Sequence, residues 1–143
     1  MRAALERRMF ALNRLPAVMP FESHRIHPKM ELIYKIAPAE LWHQAELKGS
    51  FSGSPVDQAD GFIHLSTAAQ VRGTAARHFA GQNDLLLIGV DPHLLGADLR
   101  YEPASGGALF PHLYAPLNLD TVISVKALPL GADGLHQFDD SFP

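Results

Sequence analysis

A strand that is apolar on both faces belongs in the middle of a sheet, and residues 84–91 (DLLLIGVD) have that pattern. The apolar run is far shorter than the roughly 18 to 20 residues that a helix needs to cross a bilayer. The 143 residues, 47% of them hydrophobic, suit one globular domain with a sizeable core. We therefore expect a single domain built around this strand, and no membrane partner.

Segments with strand character and helix character alternate along most of the chain. ELIYKI (31–36) is short and rich in β-forming residues, so it predicts a first strand. Pro38 suits the first turn of a helix and Gly49 suits its end, which predicts a helix over about 38–48. The next stretch, 49–60, is dense in Gly, Ser, Pro and Asp, and it predicts a loop of the kind that often forms part of a site.

The same alternation continues in the second half of the chain. GFIHLS (61–66) predicts a second strand. The helix after it, predicted over 67–79, begins with a Thr-x-x-Gln capping box, in which hydroxyl and amide satisfy each other's orphan backbone donors. Gly73 inside this helix indicates close packing against a neighbour. DLRYE (98–102) and TVISVKALPL (121–130) predict two more strands.

Two helices in the N-terminal half, followed by a run of strands, predict an α+β domain with a mixed, mostly antiparallel sheet. A doubly wound nucleotide fold is disfavoured, because no GxGxxG motif follows the first strand and no Walker lysine motif occurs. A GxSxG elbow is absent as well, which disfavours a serine hydrolase. We take residues 30–130 as the domain and residues 131–143 as an acidic C-terminal tail.

Charge is unevenly distributed along the chain. Residues 1–29 contain six basic and two acidic residues, whereas residues 30–143 contain six basic and thirteen acidic residues. We expect the first segment to be a poorly ordered basic leader, with an amphipathic targeting peptide as the alternative. The acidic body argues against a nucleic-acid partner. The absence of cysteine excludes disulfides and thiolate sites, and it fits a cytoplasmic location.

Two strand segments carry polar residues that could form a site. Strand alternation places Phe62, His64 and Ser66 on the less apolar face of their strand, where His64 could line a pocket. The alternative for His64 is a histidine that is hydrogen-bonded within a half-buried sheet. Arg100 and Glu102 share a face of DLRYE, and they form either a structural ion pair or a site. In such a site, Arg100 would hold an anionic group and Glu102 would act as a base or stabilise positive charge.

FPHLYAPL (110–117) is the third candidate segment. It follows a flexible SGG and contains two prolines, so we expect irregular backbone. Irregular segments with aromatic and imidazole groups often form pocket walls. Histidine titrates near neutral pH, so His112 could serve as acid, base or hydrogen-bond donor. The alternative is that Phe110, Leu113 and Tyr114 only cover one end of the core.

The spacing of the histidines does not favour a metal centre. The chain contains no HxH, HxxxH or HExxH motif, so no pair of ligands is preformed. A site could arise only if the fold brought together His64, His78, His112 and Glu102. His78 lies near the end of its helix, where a positive charge is favourable in any case. We therefore expect no metal.

Three stretches in combination carry a family resemblance: DGFIHLSTAAQVRGTAARHFAGQNDLLLIGVDP (60–92), LRYE (99–102) and GGALFPHLYAPL (106–117). They closely resemble the family of small proteins known as domain of unknown function 952, and the resemblance covers about residues 32–128. That family is in turn similar to the ADP-ribosyltransferase-like superfamily, in which a split antiparallel sheet binds NAD. The resemblance implies a split sheet, NAD as a substrate rather than a resident cofactor, and transfer of ADP-ribose.

The resemblance also implies roles for individual residues. Glu102 resembles the carboxylate that stabilises an oxocarbenium-like transition state, and such preorganised charge can be the largest catalytic term. Glu102 lies on an earlier strand of the chain than the catalytic glutamate of that superfamily usually does, which leaves its role open. His112 is the second implied catalytic residue, or a contact to the pyrophosphate. The residues implied in holding NAD, supplying hydroxyls, meeting the pyrophosphate or stacking are His64, Ser66, Thr67, Arg100 and Tyr114.

Two functions of different classes follow from these observations. One is an enzyme that transfers ADP-ribose or a related group from NAD. The other is a non-catalytic module that binds a small anionic metabolite or a protein partner in the same cleft. Release of nicotinamide separates the two, because only the enzyme would produce it.

Overall fold

Short strands and helices alternate along the chain, mostly in the predicted order. The computed structural model describes residues 31–104 and 106–143, so the leader predicted for residues 1–29 lies outside the described residues. The strands are β1 (Ile33–Pro38), β2 (Ser50–Phe51), β3 (Ile63–His64), β4 (Ser66–Thr67), β5 (Leu85–Val90), β6 (Leu99–Pro103), β7 (Leu109–Leu113), β8 (Leu117–Asn118) and β9 (Val122–Leu128). The α-helices are α1 (Ala39–Lys48), α2 (Pro55–Asp60) and α3 (Ala68–His78).

The strands form three sheets, of four, three and two strands. Their strand orders are β4-β1-β5-β9, β3-β7-β6 and β2-β8. β5 pairs with β1 on one side and β9 on the other, which confirms it as an interior strand. Every pair between these strands is antiparallel. The α+β class is confirmed, and the parallel pairs that a mixed sheet would contain are absent from the described residues.

The strand predicted over 61–66 is divided between two sheets. β3 pairs with β7, whereas β4 pairs with β1. Leu65 lies between them in the core, and its N–H donates to the carbonyl of Pro111 at 3.0 Å. The chain therefore passes from one sheet to the other at Leu65, with His64 at the end of one and Ser66 at the start of the next.

The loop predicted over 49–60 is wrong in part, because it contains β2 and the six-residue helix α2. The N–H of Asp57 donates to the hydroxyl of Ser54 at 3.4 Å, and the N–H of Ser54 donates to the carboxylate of Asp57 at 2.9 Å. Pro55 occupies the first helical position. These reciprocal caps begin a helix within a composition that otherwise indicates a loop. The described residues thus contain three α-helices where two were predicted.

The irregular backbone predicted for FPHLYAPL is also wrong in part. Leu109–Leu113 forms β7, the middle strand of the three-stranded sheet. Pro111 contributes through its carbonyl, which accepts from Leu65, so its missing N–H does not prevent the pairing. His112 consequently lies on a regular strand, directly opposite His64 in the register.

The helices α1 and α3 agree closely with their predicted limits. α1 follows Pro38 and ends at Gly49, which has a φ of 88°. α3 follows Thr67, and the predicted capping box is present, with the N–H of Thr67 donating to the side chain of Gln70 at 3.0 Å. Within the described part of the chain, no helix combines the length and apolar character needed to cross a membrane.

The C-terminal residues lie against the domain and belong to the same unit, residues 31–143. Phe138 and Phe142 pack on the buried cluster that contains Tyr34. The guanidinium of Arg72 lies about 5 Å from both phenylalanine rings, and it donates to the carbonyl of Pro143 at 3.1 Å. Apolar and cation–π contacts therefore hold this segment, even though its acidic residues are exposed.

Candidate functional site

A cavity of about 560 Å³ lies between strands β1, β3, β4 and β7 and the three α-helices. Its volume falls in the range of small-molecule sites, and it combines apolar walls with convergent polar groups. The polar residues that line it are Lys35, Ser54, Asp57, Asp60, His64, Ser66, Thr74, Arg77, His78, Gln82 and His112. These side chains come from six helices and strands and the loops beside them, so only the folded chain brings them together.

Asp57 is the centre of the polar network in one wall. Its carboxylate is 2% exposed and accepts from Lys35 Nζ at 2.8 Å, from His64 Nδ1 at 2.6 Å and from the N–H of Ser54 at 2.9 Å. Burial alone would raise the pKa of Asp57, but the hydrogen bond from His64 and the charge of Lys35 outweigh it and hold that pKa well below its usual range. Asp57 is therefore ionised throughout the physiological range.

Lys35 lies on β1 and is itself buried. Besides its ion pair with Asp57, its Nζ donates to the carbonyl of His64 at 3.1 Å. Burial lowers the pKa of Lys35, and the charge and hydrogen bond of Asp57 oppose that shift. The lysine thus fixes both the carboxylate and the backbone that carries His64.

His64 lies between two carboxylates. Its Nδ1 is 2.6 Å from Asp57 Oδ1, and its Nε2 is 2.9 Å from Asp60 Oδ2. The side chain of Asp57 is enclosed, whereas that of Asp60, at the last position of α2, is 49% exposed. The buried contact fixes the orientation of the ring, and the exposed contact is the one that a ligand can replace.

A second carboxylate–histidine pair lies across the same strands. The Nδ1 of His112 is 2.7 Å from Glu102 Oε1, and the hydroxyl of Tyr114 donates to that same oxygen at 2.7 Å. These two hydrogen bonds, followed by the charges of His112 and Arg100, lower the pKa of Glu102. The bond to Glu102 in turn raises the pKa of Tyr114. His112 lines the cavity, and no group of residues 31–104 or 106–143 hydrogen-bonds its Nε2.

The two imidazoles are held at a fixed separation by Phe62. The Phe62 ring stacks on His112 at 4.1 Å and lies 4.6 Å from His64, and the two imidazole centroids are 5.8 Å apart. Tyr114 packs against the outer side of Phe62 at 5.2 Å. The guanidinium of Arg100 lies 4.4 Å from the Tyr114 ring. Phe62, Tyr114 and Arg100 lie outside the cavity lining, and their packing supports the two histidines.

Three of the predicted site residues line the cavity, namely His64, Ser66 and His112. Strand alternation grouped Phe62, His64 and Ser66 on one face, but Leu65 from the opposite face also lines the cavity and Phe62 does not. The hydroxyl of Ser66 is hydrogen-bonded to that of Thr74 at 2.9 Å. This hydrogen bond joins β4 to α3 close to His64.

The other four predicted site residues lie outside the cavity lining. Thr67 caps α3. Glu102, Arg100 and Tyr114 form a cluster on β6 and just beyond β7, behind His112. Arg100 packs over Tyr114 in place of the ion pair with Glu102 that the sequence left open. In this position, Glu102 orients His112 through a direct hydrogen bond.

Sequence reasoning did not single out Lys35, Asp57, Asp60 or Arg77. Two of them have a detectable signal. Lys35 is the one charged residue inside an apolar strand, and Asp57 is the third residue after Ser54 in a Ser-Pro-x-Asp capping box. The close packing of Asp57 also explains the glycine at position 53. Its φ is 106°, and a Cβ there would lie 2.8 Å from the Cβ of Asp57.

The metal alternative named His64, His78, His112 and Glu102. Among the described residues, no three His, Cys, Asp or Glu side chains are grouped so that they could hold a metal ion. His64 and His112 each direct Nδ1 toward a carboxylate, and this contact fixes the orientation of each ring.

Comparison with known proteins gives a family and a fold. Residues 36–125 match the family described as "Protein of unknown function (DUF952)". The X-ray crystal structure of protein CC0527 from Caulobacter crescentus is 50% identical, with a TM-score of 0.72 over 74% of this chain and 93% of that chain. The solution NMR structure of CC0527 is 50% identical, with a TM-score of 0.68 over 74% of this chain and 91% of that chain.

No curated protein matches the chain. The matches give no support for a similarity to the ADP-ribosyltransferase-like superfamily, so that part of the sequence resemblance stays a hypothesis. The family match spans more than half of the sequence, and half of the aligned residues are identical in a solved structure of the same fold. This chain therefore belongs to the DUF952 family.

Proposed function

We propose that this protein is an enzyme that binds a nucleotide-like ligand in the cavity and transfers a group from it, with NAD as the substrate that the sequence resemblance favours. The observation that carries the proposal is the pair of carboxylate-oriented imidazoles, 5.8 Å apart on one cavity wall. Two positioned histidines in a cavity of this size are a common arrangement for binding and proton transfer.

His112 is the proton acceptor in this proposal. A histidine whose Nδ1 donates to a carboxylate presents a basic Nε2, and the carboxylate stabilises the imidazolium that forms on protonation. Glu102 supplies that carboxylate, and Tyr114 holds it in place. Both are positioning residues, since neither lines the cavity.

The bond changes of ADP-ribosyl transfer fit this arrangement. The bond between ribose C1′ and the nicotinamide nitrogen breaks, and its electron pair leaves with nicotinamide as a neutral molecule. The nucleophilic atom of the acceptor forms a bond to C1′, and the proton it loses goes to Nε2 of His112. The acceptor is a hydroxyl, an amine or water, each of which has a proton to give.

His64 is the ligand-holding residue. Asp57 and Lys35 fix its ring, so only Nε2 can exchange one partner for another. A ribose hydroxyl or an anionic oxygen of the ligand takes the place of the exposed Asp60 carboxylate. The ring is thereby prepared for the ligand before it binds, which reduces the ordering cost of binding.

The test is a thermal-shift measurement on the full chain with NAD and with ADP-ribose, followed by an assay for released nicotinamide. We expect both ligands to raise the melting temperature, because a ligand that binds only the folded state stabilises it. His64→Ala should abolish the rise. His93→Ala is the matched control, because that histidine is 87% exposed and lies outside the cavity lining. No shift at millimolar ligand would contradict the proposal.

The second candidate function is a non-catalytic module for a small anionic metabolite. The observation that favours it is the degree of internal pairing, since His64, Ser66 and Glu102 already have side-chain hydrogen bonds within the protein. A module of this kind would be stabilised by ligand and would release no nicotinamide. The same two measurements therefore separate the candidates.

A further inference from the structure

One face of α3 forms a part of the cavity that the histidine pair does not reach. Thr74, Arg77 and His78 all line the cavity, and their spacing of three and four residues places them on one side of the helix. The hydroxyl of Thr74 is bonded to that of Ser66, two residues after His64. Arg77 and His78 therefore lie about one helical turn, roughly 5 Å along the helix axis, from the Ser66–Thr74 contact.

Gly73 makes room for the guanidinium of Arg77. A Cβ at Gly73 would lie 3.1 Å from Nη1 of Arg77, and the other close atoms also belong to that guanidinium. The close packing that the sequence indicated at Gly73 is thus with Arg77. Glycine inside a helix costs about 1 kcal/mol relative to alanine. The guanidinium of Arg77, which lies over this position, gives a reason for the glycine.

The charges of the cavity leave the Arg77 end positive. Asp57 is paired with Lys35 and His64, and Asp60 is paired with His64. Among the described residues, no carboxylate lies within ion-pair distance of Arg77 or His78. The backbone at the end of a helix carries partial negative charge, so it supports cations there and gives no help to an anion. Any anion at this end has to be bound by the side chains.

We propose that Arg77 and His78 form a phosphate-binding subsite, which narrows the ligand to a phosphorylated compound such as a nucleotide. This inference rests on the proposed function, because both concern the same cavity. The planar guanidinium offers two parallel N–H donors to a phosphate, and His78 adds a third donor from the next position. The phosphate lies over α3, and the sugar lies against His64 and His112.

The test compares a phosphorylated ligand with its unphosphorylated counterpart. AMP and adenosine are titrated calorimetrically into the full chain and into Arg77→Gln, with ADP-ribose as a third ligand. We expect AMP to bind the wild type at least about tenfold more tightly than adenosine, because each charge-assisted hydrogen bond contributes about a factor of ten. Arg77→Gln should remove this difference by weakening AMP alone.

Arg72→Gln is the matched control, because Arg72 lies on the same helix with its guanidinium against Phe138 and Phe142, outside the cavity lining. It should leave the preference for AMP intact. Gly73→Ala gives a second test that does not depend on stability. Alanine is the better helix former, so unfolding should not become easier, while its Cβ, 3.1 Å from Nη1, should shift the guanidinium slightly and weaken AMP binding by less than Arg77→Gln does.

Four outcomes decide the question. Equal affinity for AMP and adenosine in the wild type would overturn the subsite, and so would an equal loss for both ligands in Arg77→Gln. If His64→Ala weakens AMP and Arg77→Gln does not, the subsite is wrong and the proposed function stands. If the wild type binds none of the three ligands, both proposals are overturned.

Discussion

The two carboxylate–histidine pairs of the cavity wall have nearly equal bond lengths and opposite burial. In the Asp57–His64 pair, at 2.6 Å, the carboxylate is buried and the histidine is 37% exposed. In the Glu102–His112 pair, at 2.7 Å, the histidine side chain is 9% exposed and the carboxylate is 33% exposed. The first carboxylate is also neutralised by a buried lysine, whereas the second is held by a tyrosine hydroxyl at the surface.

Under the proposed function, this difference corresponds to different roles for the two histidines. A buried, ion-paired carboxylate cannot be released without a large cost, so His64 is fixed for binding and its support is part of the folded core. Replacing a surface carboxylate changes the free energy of unfolding little. Glu102 can therefore orient the ring of His112 without being needed for the stability of the fold. Substitutions in the first pair should therefore act on stability, and substitutions in the second pair should act on turnover.

The largest effect is expected from Lys35→Met. The change leaves the buried Asp57 without its lysine partner and with His64 alone to offset its charge, which should lower the free energy of unfolding by about 3 to 5 kcal/mol. Lys126→Met is the control, because Lys126 forms an exposed ion pair with Asp139 at 3.4 Å and should matter little. Urea denaturation of both variants measures the difference. A loss in Lys35→Met no larger than in the control would contradict the account.

The second prediction concerns acid. The pKa of Asp57 is lowered in the folded state, so its contribution to stability is complete above the ordinary aspartate pKa, near 4, and is lost as pH falls below it. The free energy of unfolding of the wild type should therefore decrease from about pH 5 downward. Asp57→Asn should flatten that decrease more than Glu102→Gln does, since the latter carboxylate is at the surface. Urea denaturation at a series of pH values measures the free energy of unfolding of both variants. An equal flattening in Asp57→Asn and Glu102→Gln would contradict the distinction between the two pairs.

The third prediction concerns the exposed partner of His64. Asp60→Ala frees Nε2 of His64 without disturbing Asp57, so the affinity for NAD should rise several-fold with little change in stability. Asp140→Ala removes a surface charge outside the cavity lining and serves as the control. Calorimetric titration of both variants measures the affinities. Weaker binding by Asp60→Ala would mean that Asp60 contacts the ligand directly.

The smallest effect is expected from Tyr114→Phe. The change removes one hydrogen bond to Glu102 and keeps the ring that packs on Phe62 and Arg100. Nicotinamide release should slow by a small factor, with no change in the affinity for NAD and no measurable change in stability. A large loss of binding would instead give the tyrosine the stacking role that the resemblance implied.

Elements with a strong local signal could be predicted from the sequence. β5 is apolar on both faces, and α3 begins with a capping box whose two partners are three residues apart. β3 and β4 could not be separated in this way, because their division at Leu65 depends on pairing with β7 and β1, both distant in the chain. Pairing of this kind is decided by tertiary structure.

The candidate site could be predicted from the sequence only in part, for the same reason. Strand alternation grouped His64 with Ser66, but the break at Leu65 puts them on different strands, so alternation along one strand does not explain why both line the cavity. The ion pair of Lys35 with Asp57 joins residues 22 positions apart, and the pairing of His64 with His112 depends on a strand register. Neither can be derived from a local pattern, so the support of the histidines emerged only from the folded structure.

The most direct test of the central claim is a crossed comparison of His64→Ala and His112→Ala in the full chain, with NAD affinity and nicotinamide release measured on the same preparations. The account predicts that His64→Ala loses NAD binding, while His112→Ala binds NAD with near wild-type affinity and releases nicotinamide far more slowly. The opposite pattern, or release at the wild-type rate by His112→Ala, would contradict the assignment of binding to one histidine and proton transfer to the other.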